Sequence, residues 1–180
     1  MDTTNTNFVG LNCHGFKTNA DYIKGLSESH EILFLSELWI TEAEKTLLHN
    51  YNKDFNIYFQ PANQGLSGRP YGGTALLIKK SLPAPELIQK NEYATIVKLK
   101  LQNFDLLVIG VYLQSTSSNS TFKDRYYAQL SNIGGMIKQF ENTSETIILG
   151  DLQSCPSTHS SERLTKQNTL TEPLNEFINK

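Results

Sequence analysis

One stretch of the sequence decides how this chain folds: Thr146-Ile147-Ile148-Leu149-Gly150-Asp151-Leu152-Gln153. Its apolar, β-branched run predicts a buried β-strand, and the glycine predicts where that strand stops. An aspartate and an amide follow at once, so both side chains are expected just past the carboxyl end of the strand. A carboxylate held there has a rigid support and faces the open rim of a sheet. The stretch therefore predicts a strand that carries a functional group at its tip.

Three earlier stretches repeat this arrangement of an apolar strand followed by one polar or phenolic group. They end in Asn12 after Phe8–Leu11, in Glu37 after Ile32–Ser36, and in Tyr112 after Leu106–Val111. Each end has an ordinary explanation when it stands alone, as a turn residue, a solvated carboxylate or a packed aromatic ring. Four such ends in one chain instead predict a single site, in which Asn12, Glu37, Tyr112 and Asp151 surround a shared cavity.

The rest of the chain alternates between strands and amphipathic helices, which is typical of a layered α/β or α+β domain. Further strands are predicted at Phe55–Gln60, at Thr74–Ile78 and from Tyr93 to Leu101. Helices are predicted from an N-cap at Asn19 to Ser27, from Thr41 through Leu48, from Thr121 to Phe140 and from Glu172 to Ile178. Polar loops are predicted at Pro61–Gly73, Leu113–Ser120 and Ser154–Thr169. Gly134-Gly135 inside the long helix predicts a kink or a close contact, because each glycine costs about 1 kcal/mol relative to alanine.

Length and composition fit a polar tail over residues 1–7 and one globular domain over residues 8–180. A chain of 180 residues can bury about two-thirds of its unfolded surface. No apolar run approaches the roughly 20 residues of a membrane span, and the first residues lack the basic and apolar regions of a signal peptide. Cys13 and Cys155 are too few for a disulfide framework. We therefore expect an intracellular protein, nuclear or cytoplasmic, that is neither secreted nor inserted in a membrane.

The four strand ends, taken in order, resemble the endonuclease/exonuclease/phosphatase superfamily. The matching segments are Leu-Asn-Cys-His-Gly at 11–15, Phe-Leu-Ser-Glu-Leu-Trp at 34–39, Gly-Val-Tyr-Leu at 110–113 and Ile-Leu-Gly-Asp-Leu-Gln at 148–153. The segment Gly68–Lys80 further resembles the apurinic-endonuclease-like endonuclease domain of non-LTR retrotransposons. This resemblance covers the chain from Phe8 to Ile178. It implies a four-layer DNase I-like sandwich, in which helices flank two packed mixed β-sheets and the site lies where the strand ends of both sheets meet.

The resemblance also implies magnesium-dependent hydrolysis of phosphodiesters, that is, nicking of DNA. Asn12 and Glu37 match the metal-binding positions, for Mg²⁺ with Mn²⁺ as the alternative. An amide and one carboxylate suit Mg²⁺, which keeps several waters and takes only one or two protein carboxylates. Asp151 matches the residue that orients and deprotonates the attacking water. Tyr112 matches the phenol that hydrogen-bonds to the scissile phosphate, and Arg69 is the candidate for a further phosphate or DNA contact.

Two departures from the family pattern predict weak activity. The family reads Gly-Asp-Phe-Asn at the late strand, whereas this chain places Gln153 at the catalytic amide position. The extra methylene displaces that amide by roughly 1.5 Å. The family also continues to a Ser-Asp-His segment, whereas this sequence ends at Lys180 and none of its four histidines lies in such a motif. We therefore expect a C-terminally truncated domain without its last strands, weak or inactive alone, whose missing segment a longer product could supply.

Two other functions stay open on the sequence alone. A non-catalytic remnant could hold nucleic acid or a protein partner, which predicts salt-sensitive DNA binding without turnover. A net charge of −2 argues against strong nonspecific DNA binding but not against an enzyme that touches few phosphates. A phosphoesterase acting on small molecules or lipids is the other alternative, because the superfamily shares the metal–aspartate core. Trp39 is interpreted as a core or helix-entry residue rather than a base-stacking platform.

Overall fold

The computed structural model describes residues 6–65, 68–113 and 120–153, together with Leu174 and Phe177. Eight strands occur in these ranges: β1 (Phe8–Asn12), β2 (Ile32–Ser36), β3 (Phe55–Gln60), β4 (Thr74–Lys79), β5 (Glu86–Lys90), β6 (Ala94–Lys100), β7 (Asp105–Tyr112) and β8 (Ser144–Asp151). The helices are α1 (Phe16–Ser29), α2 (Lys45–Tyr51) and α3 (Ser120–Phe140), and a short 3-10 helix (Glu42–Glu44) precedes α2. No described helix has both the length and the apolar character needed to span a membrane.

The strands form two mixed sheets with the orders β1-β2-β4-β3 and β5-β6-β7-β8. Each sheet contains one parallel pair, β1 with β2 and β7 with β8, and its other neighbours are antiparallel. Helix α1 connects the first parallel pair and α3 connects the second, as parallel neighbours require a crossover. Parallel strands end at the same edge of a sheet. The carboxyl ends of β1 and β2, and those of β7 and β8, are therefore side by side.

Apolar side chains fill the space between the two sheets. They come from Ile32, Phe34, Leu76 and Ile78 in the first sheet and from Val97, Leu99, Leu106 and Val108 in the second. Helices α1 and α2 contribute to a second apolar cluster on the outer face of the first sheet. Helix α3 does the same on the outer face of the second sheet. The order of layers is thus helix, sheet, sheet, helix, which confirms the sandwich predicted from the sequence.

The start of α1 differs from its prediction. The helix begins at Phe16, whose backbone N–H donates to the carbonyl of Leu38 at 2.9 Å. Asn19 lies at a kink within α1, where its φ of −114° and ψ of 16° are not helical. Its amide donates backwards, to the carbonyls of Cys13 at 2.8 Å and Gly15 at 3.4 Å. The predicted N-cap at Asn19 thus coincides with this kink, three residues after α1 begins.

Strand β8 was predicted to be buried, and this was wrong for one of its faces. Ile147 and Leu149 pack into the layer between the sheets, whereas Ile148 is 36% exposed on the other side. The reason is position, since β8 is the last strand of its sheet within the described part of the chain. Strand β5, which the sequence did not predict, is the last strand at the opposite end of that sheet.

Several predicted segments fall outside the described residues. These are the loop of 154–169, nearly all of the loop of 113–120, and residues 1–5 of the polar tail. Of the predicted final helix only Leu174 and Phe177 are described, and both have helical backbone.

Helix α3 continues through Gly134 and Gly135. A Cβ at Gly134 would lie 3.5 Å from the Phe177 ring, which is an ordinary packing distance.

Candidate active site

The four strand ends predicted to form one site are neighbours at the junction of the two sheets. Asn12 ends β1 and Asp151 ends β8, and the Asn12 Nδ2 atom donates to Asp151 Oδ2 at 3.2 Å. Tyr112 ends β7 and pairs in register with Asp151. The Tyr112 hydroxyl donates to Oε1 of Glu37, the first residue after β2. The structure therefore forms two side-chain pairs, Asn12 with Asp151 and Tyr112 with Glu37, each of which joins one sheet to the other. The backbone pairing of Tyr112 with Asp151 places the two pairs next to each other.

A close approach of backbone on backbone sets the direction of Asp151. Gly150 has φ 146°, and a Cβ on it would lie 1.8 Å from the carbonyl oxygen of Val111. Only glycine fits there. Asp151 Oδ1 then accepts the backbone N–H of Gln153 at 3.0 Å, while its main-chain carbonyl accepts the N–H of Leu113 at 3.0 Å. With Asn12 on Oδ2, the carboxylate of Asp151 is held in one orientation.

Gln153, predicted as a catalytic amide, lies beside this carboxylate. Its backbone has φ 55°, in the left-handed region. That conformation turns its N–H back toward Asp151 Oδ1. The main chain of Gln153 thus has a positioning contact in the site, while the catalytic role of its side-chain amide stays a prediction.

Both carboxylate oxygens of Glu37 accept a hydrogen bond from a neighbouring side chain. Tyr112 bonds to Oε1, and the indole Nε1 of Trp39 donates to Oε2 at 2.7 Å. Glu37 and Trp39 have φ values of 54° and 55°, a conformation that costs side-chain-bearing residues roughly 1–3 kcal/mol each. Backbone bonds hold this turn, since Leu38 donates to the carbonyl of Gly73 at 3.1 Å and Trp39 to that of Gly72 at 3.0 Å.

Trp39 is a residue of the site that sequence reasoning missed. Its indole is half-buried and lies under Arg69, whose Cζ is 3.9 Å from the ring centroid. Arg69 itself is exposed, and its link to the four central residues runs through Trp39 and Glu37. Trp39 does lie shortly before the 3-10 helix at Glu42–Glu44, but the interpretation as a core or helix-entry residue left out its contacts with Glu37 and Arg69. A donor two residues after a site carboxylate was the signal that could have found it.

Two tyrosines near the carboxylates keep their protons at physiological pH. Burial raises the pKa of Tyr112 well above its ordinary value, and the hydrogen bond to Glu37 and the charges of Glu37 and Asp151 raise it further. Burial, with a smaller effect of Asp151, raises the pKa of Tyr126 to about 12. The Tyr126 hydroxyl donates to the carbonyl of Leu152 at 2.8 Å, directly under the Asp151 turn. Both phenols therefore act as hydrogen-bond donors, Tyr112 to Glu37 and Tyr126 to the carbonyl of Leu152.

The donor set of the site fits Mg²⁺. Asn12, Glu37 and Asp151 offer amide and carboxylate oxygens, the ligands that hard cations take. The Asn12 Oδ1 atom already accepts the backbone N–H of His14 at 3.2 Å. Each oxygen has a second lone pair, so these hydrogen bonds leave room for a ligand bond. No group of three or more His, Cys, Asp or Glu residues that could hold a metal occurs in the described part of the chain. The Glu37 carboxylate and the Asn12 amide, the two predicted ligands, suit the sparse coordination of magnesium rather than that of zinc.

No family model matches the chain, and no curated protein matches its sequence. Solved structures do match its fold. The 3′ phosphatase NExo from Neisseria, bound to product DNA hairpin, gives a TM-score of 0.69 at 12% identity, covering 97% of this chain and 71% of that one. The Xenopus laevis APE2 catalytic domain gives 0.67 at 21% identity, covering 96% of this chain and 66% of that one.

An AP endonuclease from Archaeoglobus fulgidus gives a TM-score of 0.63 at 14% identity, covering 96% of this chain and 68% of that one. The chain thus spans about two-thirds to seven-tenths of the length of these three proteins. Their shared architecture establishes the fold class. This chain has the DNase I-like sandwich of two mixed β-sheets flanked by helices.

Proposed function

We propose that this chain is a metal-dependent phosphodiesterase domain that nicks DNA, of the type found in the endonucleases of non-LTR retrotransposons. One observation carries the proposal. The contacts from Asn12 to Asp151 and from Tyr112 to Glu37 gather, at the junction of two sheets, the residue types that phosphodiester hydrolysis requires. The similarity in fold to NExo, whose structure contains product DNA, supports DNA as the polymer that is cleaved.

Each residue has a distinct task in this proposal. Glu37 and Asn12 would hold Mg²⁺, or Mn²⁺ in its place. The ion would supply a positive charge that polarises the phosphate and offsets the charge developing on it. Asp151, fixed through both oxygens, orients the attacking water and accepts its proton. The single hydroxyl proton of Tyr112 bonds to Glu37 in the absence of substrate, and when DNA binds it turns to the scissile phosphate. The raised pKa of Tyr112 keeps the hydroxyl protonated for this task.

Arg69 supplies a positive charge outside this central group. It is exposed, and its guanidinium lies against the Trp39 ring at the edge of the site. Arginine recognises phosphate oxygens through its planar fork of donors. We therefore propose that Arg69 contacts a DNA phosphate beside the one that is cleaved.

We propose that hydrolysis by this chain alone is weak. In the described residues, the partners of Asp151 are an amide and a backbone N–H, and no imidazole contacts it. Removal of one preorganised donor at such a site costs about 100- to 1,000-fold in rate. Gln153 adds a further penalty if its longer side chain misplaces the amide.

A supercoiled-plasmid nicking assay with Mg²⁺ tests the proposal. The wild-type chain is compared with Asp151→Asn, which keeps the shape of the side chain but removes the base. We expect slow, magnesium-dependent nicking that falls about 100-fold or more in the variant. Nicking at equal rates by both proteins would refute the role of Asp151. If a folded wild-type chain shows no nicking and also no DNA binding, the proposed function is refuted.

A second function, DNA binding without cleavage, is favoured by the exposed rim of the site. Arg69 and Tyr71 are both exposed there, Tyr71 by 56%. Such a remnant would bind DNA in low salt and release it as salt rises, with no nicking at any magnesium concentration. Nicking that depends on Asp151 would exclude it.

A further inference from the structure

We propose that Trp39 positions two charged groups of this site at once. The edge of its indole aims the Glu37 carboxylate at the metal, and the face of its ring orients the Arg69 guanidinium toward the DNA backbone. This inference rests on the proposed function, because it assigns a task within that site to Trp39, a residue to which the superfamily resemblance gives no role.

The edge of the ring completes the grip on Glu37. Without the indole, Tyr112 alone would hold the carboxylate through Oε1, and the group could rotate about its terminal bond. The indole N–H on Oε2, at 2.7 Å, removes that freedom. Partners of metal ligands act in this way, since they fix the direction of a ligand that the metal must find in place.

The face of the ring limits the motion of Arg69. An exposed arginine samples many rotamers, and it must lose that freedom when it binds a phosphate. Stacking at 3.9 Å holds the guanidinium plane near the site before DNA arrives. Arg69 then loses less conformational entropy when it binds a DNA phosphate, so binding is more favourable.

Neighbouring backbone holds the indole of Trp39 in place, so that it can orient both Glu37 and Arg69. Gly15 lies against the ring, and a Cβ at that position would be 2.6 Å from Trp39 Cε3. The backbone N–H of Trp39 is bonded to the carbonyl of Gly72. Within the described residues, Trp39 does not belong to any of the three buried apolar clusters. Its packing therefore serves the site more than the core.

Two substitutions separate the edge of the ring from its face. Trp39→Phe keeps an aromatic face but removes the N–H donor, whereas Trp39→Leu removes both. Metal affinity is measured by calorimetry with Mn²⁺ and Mg²⁺, and DNA affinity by anisotropy in a chelator. We expect Trp39→Phe to weaken metal binding about 10- to 100-fold and to leave metal-free DNA affinity near the wild-type value. Trp39→Leu should weaken both.

Arg69→Lys is the companion variant, since it keeps the charge but loses the planar stack. It should weaken DNA binding as Trp39→Leu does and leave metal affinity unchanged. Phe104→Leu is the matched control, because it removes an exposed aromatic ring from the β6–β7 turn, at the far end of β7 from Tyr112. It should change neither affinity. Thermal unfolding of every variant verifies that the proteins compared are folded.

The wild-type chain offers a test that needs no substitution at Trp39. It contains a single tryptophan, so its indole fluorescence reports this position alone. Titration with Mg²⁺ should change that fluorescence with the same midpoint as calorimetry, and Glu37→Gln should abolish the change. Wild-type metal affinity in folded Trp39→Phe, or fluorescence unmoved by a metal that binds, would overturn the inference alone. Absence of metal binding by the wild-type chain would overturn the proposed function with it.

Discussion

At the scale of single residues, two glycines differ in the space around them: Gly110 lies in the packed layer between the sheets, and Gly25 lies on an open helix surface. Gly110 in β7 faces Phe34 in β2, and a Cβ at Gly110 would lie 2.1 Å from Phe34 Cδ2. The rigid ring, enclosed between the sheets, has little space into which it can retreat. Gly25 is exposed in α1, and a Cβ there would have no neighbour within 4 Å. The same chemical change should therefore have opposite signs at these positions.

Gly110→Ala should lower the free energy of unfolding by about 1–3 kcal/mol, because the added methyl group overfills a packed layer. Gly25→Ala should raise it by about 0.5–1 kcal/mol, since alanine loses less backbone entropy in a helix. Urea denaturation of both variants beside the wild type measures the difference. A neutral Gly110→Ala would mean that the sheets separate more easily than the contact with Phe34 implies.

Cys13, next to Asn12, gives a second prediction at this scale. The thiol is buried, and burial raises its pKa to about 12. The thiolate is the reactive form, so the folded protein should resist alkylation. In a Cys155→Ser background, we expect modification of Cys13 to be about 100-fold or more slower in buffer than in denaturant. Mass spectrometry measures both rates, and equal rates would show that β1 opens readily.

At the scale of elements, the sequence predicted most strands because their ends carried clear signals. Apolar runs closed by Asn12, Tyr112 or Asp151 alternate with turn residues, and the structure has strands at each of them. Strand β5 gave no such signal. It reads Glu-Leu-Ile-Gln-Lys at Glu86–Lys90, is largely exposed, and shifts register against β6 between Leu87 and Gln89. Its pairing with β6, rather than its own pattern, makes it a strand.

The site was predictable only in part, for a related reason. Sequence order indicated which strand ends carry polar groups. It did not indicate that Trp39 would reach Glu37, because this contact depends on left-handed backbone at both residues. Side-chain-bearing residues adopt that conformation rarely, and they do so when surrounding bonds enforce it. Those bonds come from Gly72 and Gly73, far away in the chain.

Asn19 allows a prediction for the start of α1. Its amide donates to the carbonyls of Cys13 and Gly15, so it ties the helix to the loop that follows β1. Asn19→Asp should destabilise the protein by about 1–2 kcal/mol, because an ionised carboxylate cannot donate and repels both carbonyls. Asn19→Ala should cost less, about 0.5–1 kcal/mol, because it removes the same donors without placing a negative charge beside the carbonyls. Chemical denaturation near neutral pH separates the two, and the reverse order would contradict this account.

At the scale of the whole molecule, buried phenols link stability to alkaline pH. Burial raises the pKa values of Tyr58 and Tyr112, and it raises those of Tyr126 and the Cys13 thiol to about 12. These groups are on different elements around both sheets. All of them must stay protonated in the folded state, whereas in the unfolded chain they ionise near pH 9 to 10. Folding therefore favours the protonated form of each of these four groups.

The sign of the pH dependence follows from proton binding. Below about pH 9 both states hold these protons, so the stabilisation is fully present. Between about pH 10 and pH 12 the unfolded chain holds fewer protons than the folded one, and the free energy of unfolding must fall. Tyr126 alone should contribute on the order of 1–3 kcal/mol to this loss.

The variant Tyr126→Phe measures how much Tyr126 contributes to the loss of stability at alkaline pH. It loses the hydrogen bond to the carbonyl of Leu152, so its stability at neutral pH should be lower by about 0.5–1.5 kcal/mol. Its decline across the alkaline range should also be shallower, by up to one proton, because one ionisable phenol is gone. Urea unfolding at a series of alkaline pH values measures both effects. A decline as steep as that of the wild type would mean that Tyr126 already ionises at its ordinary pKa in the folded protein, and that α3 shields the Asp151 turn less than the buried hydroxyl implies.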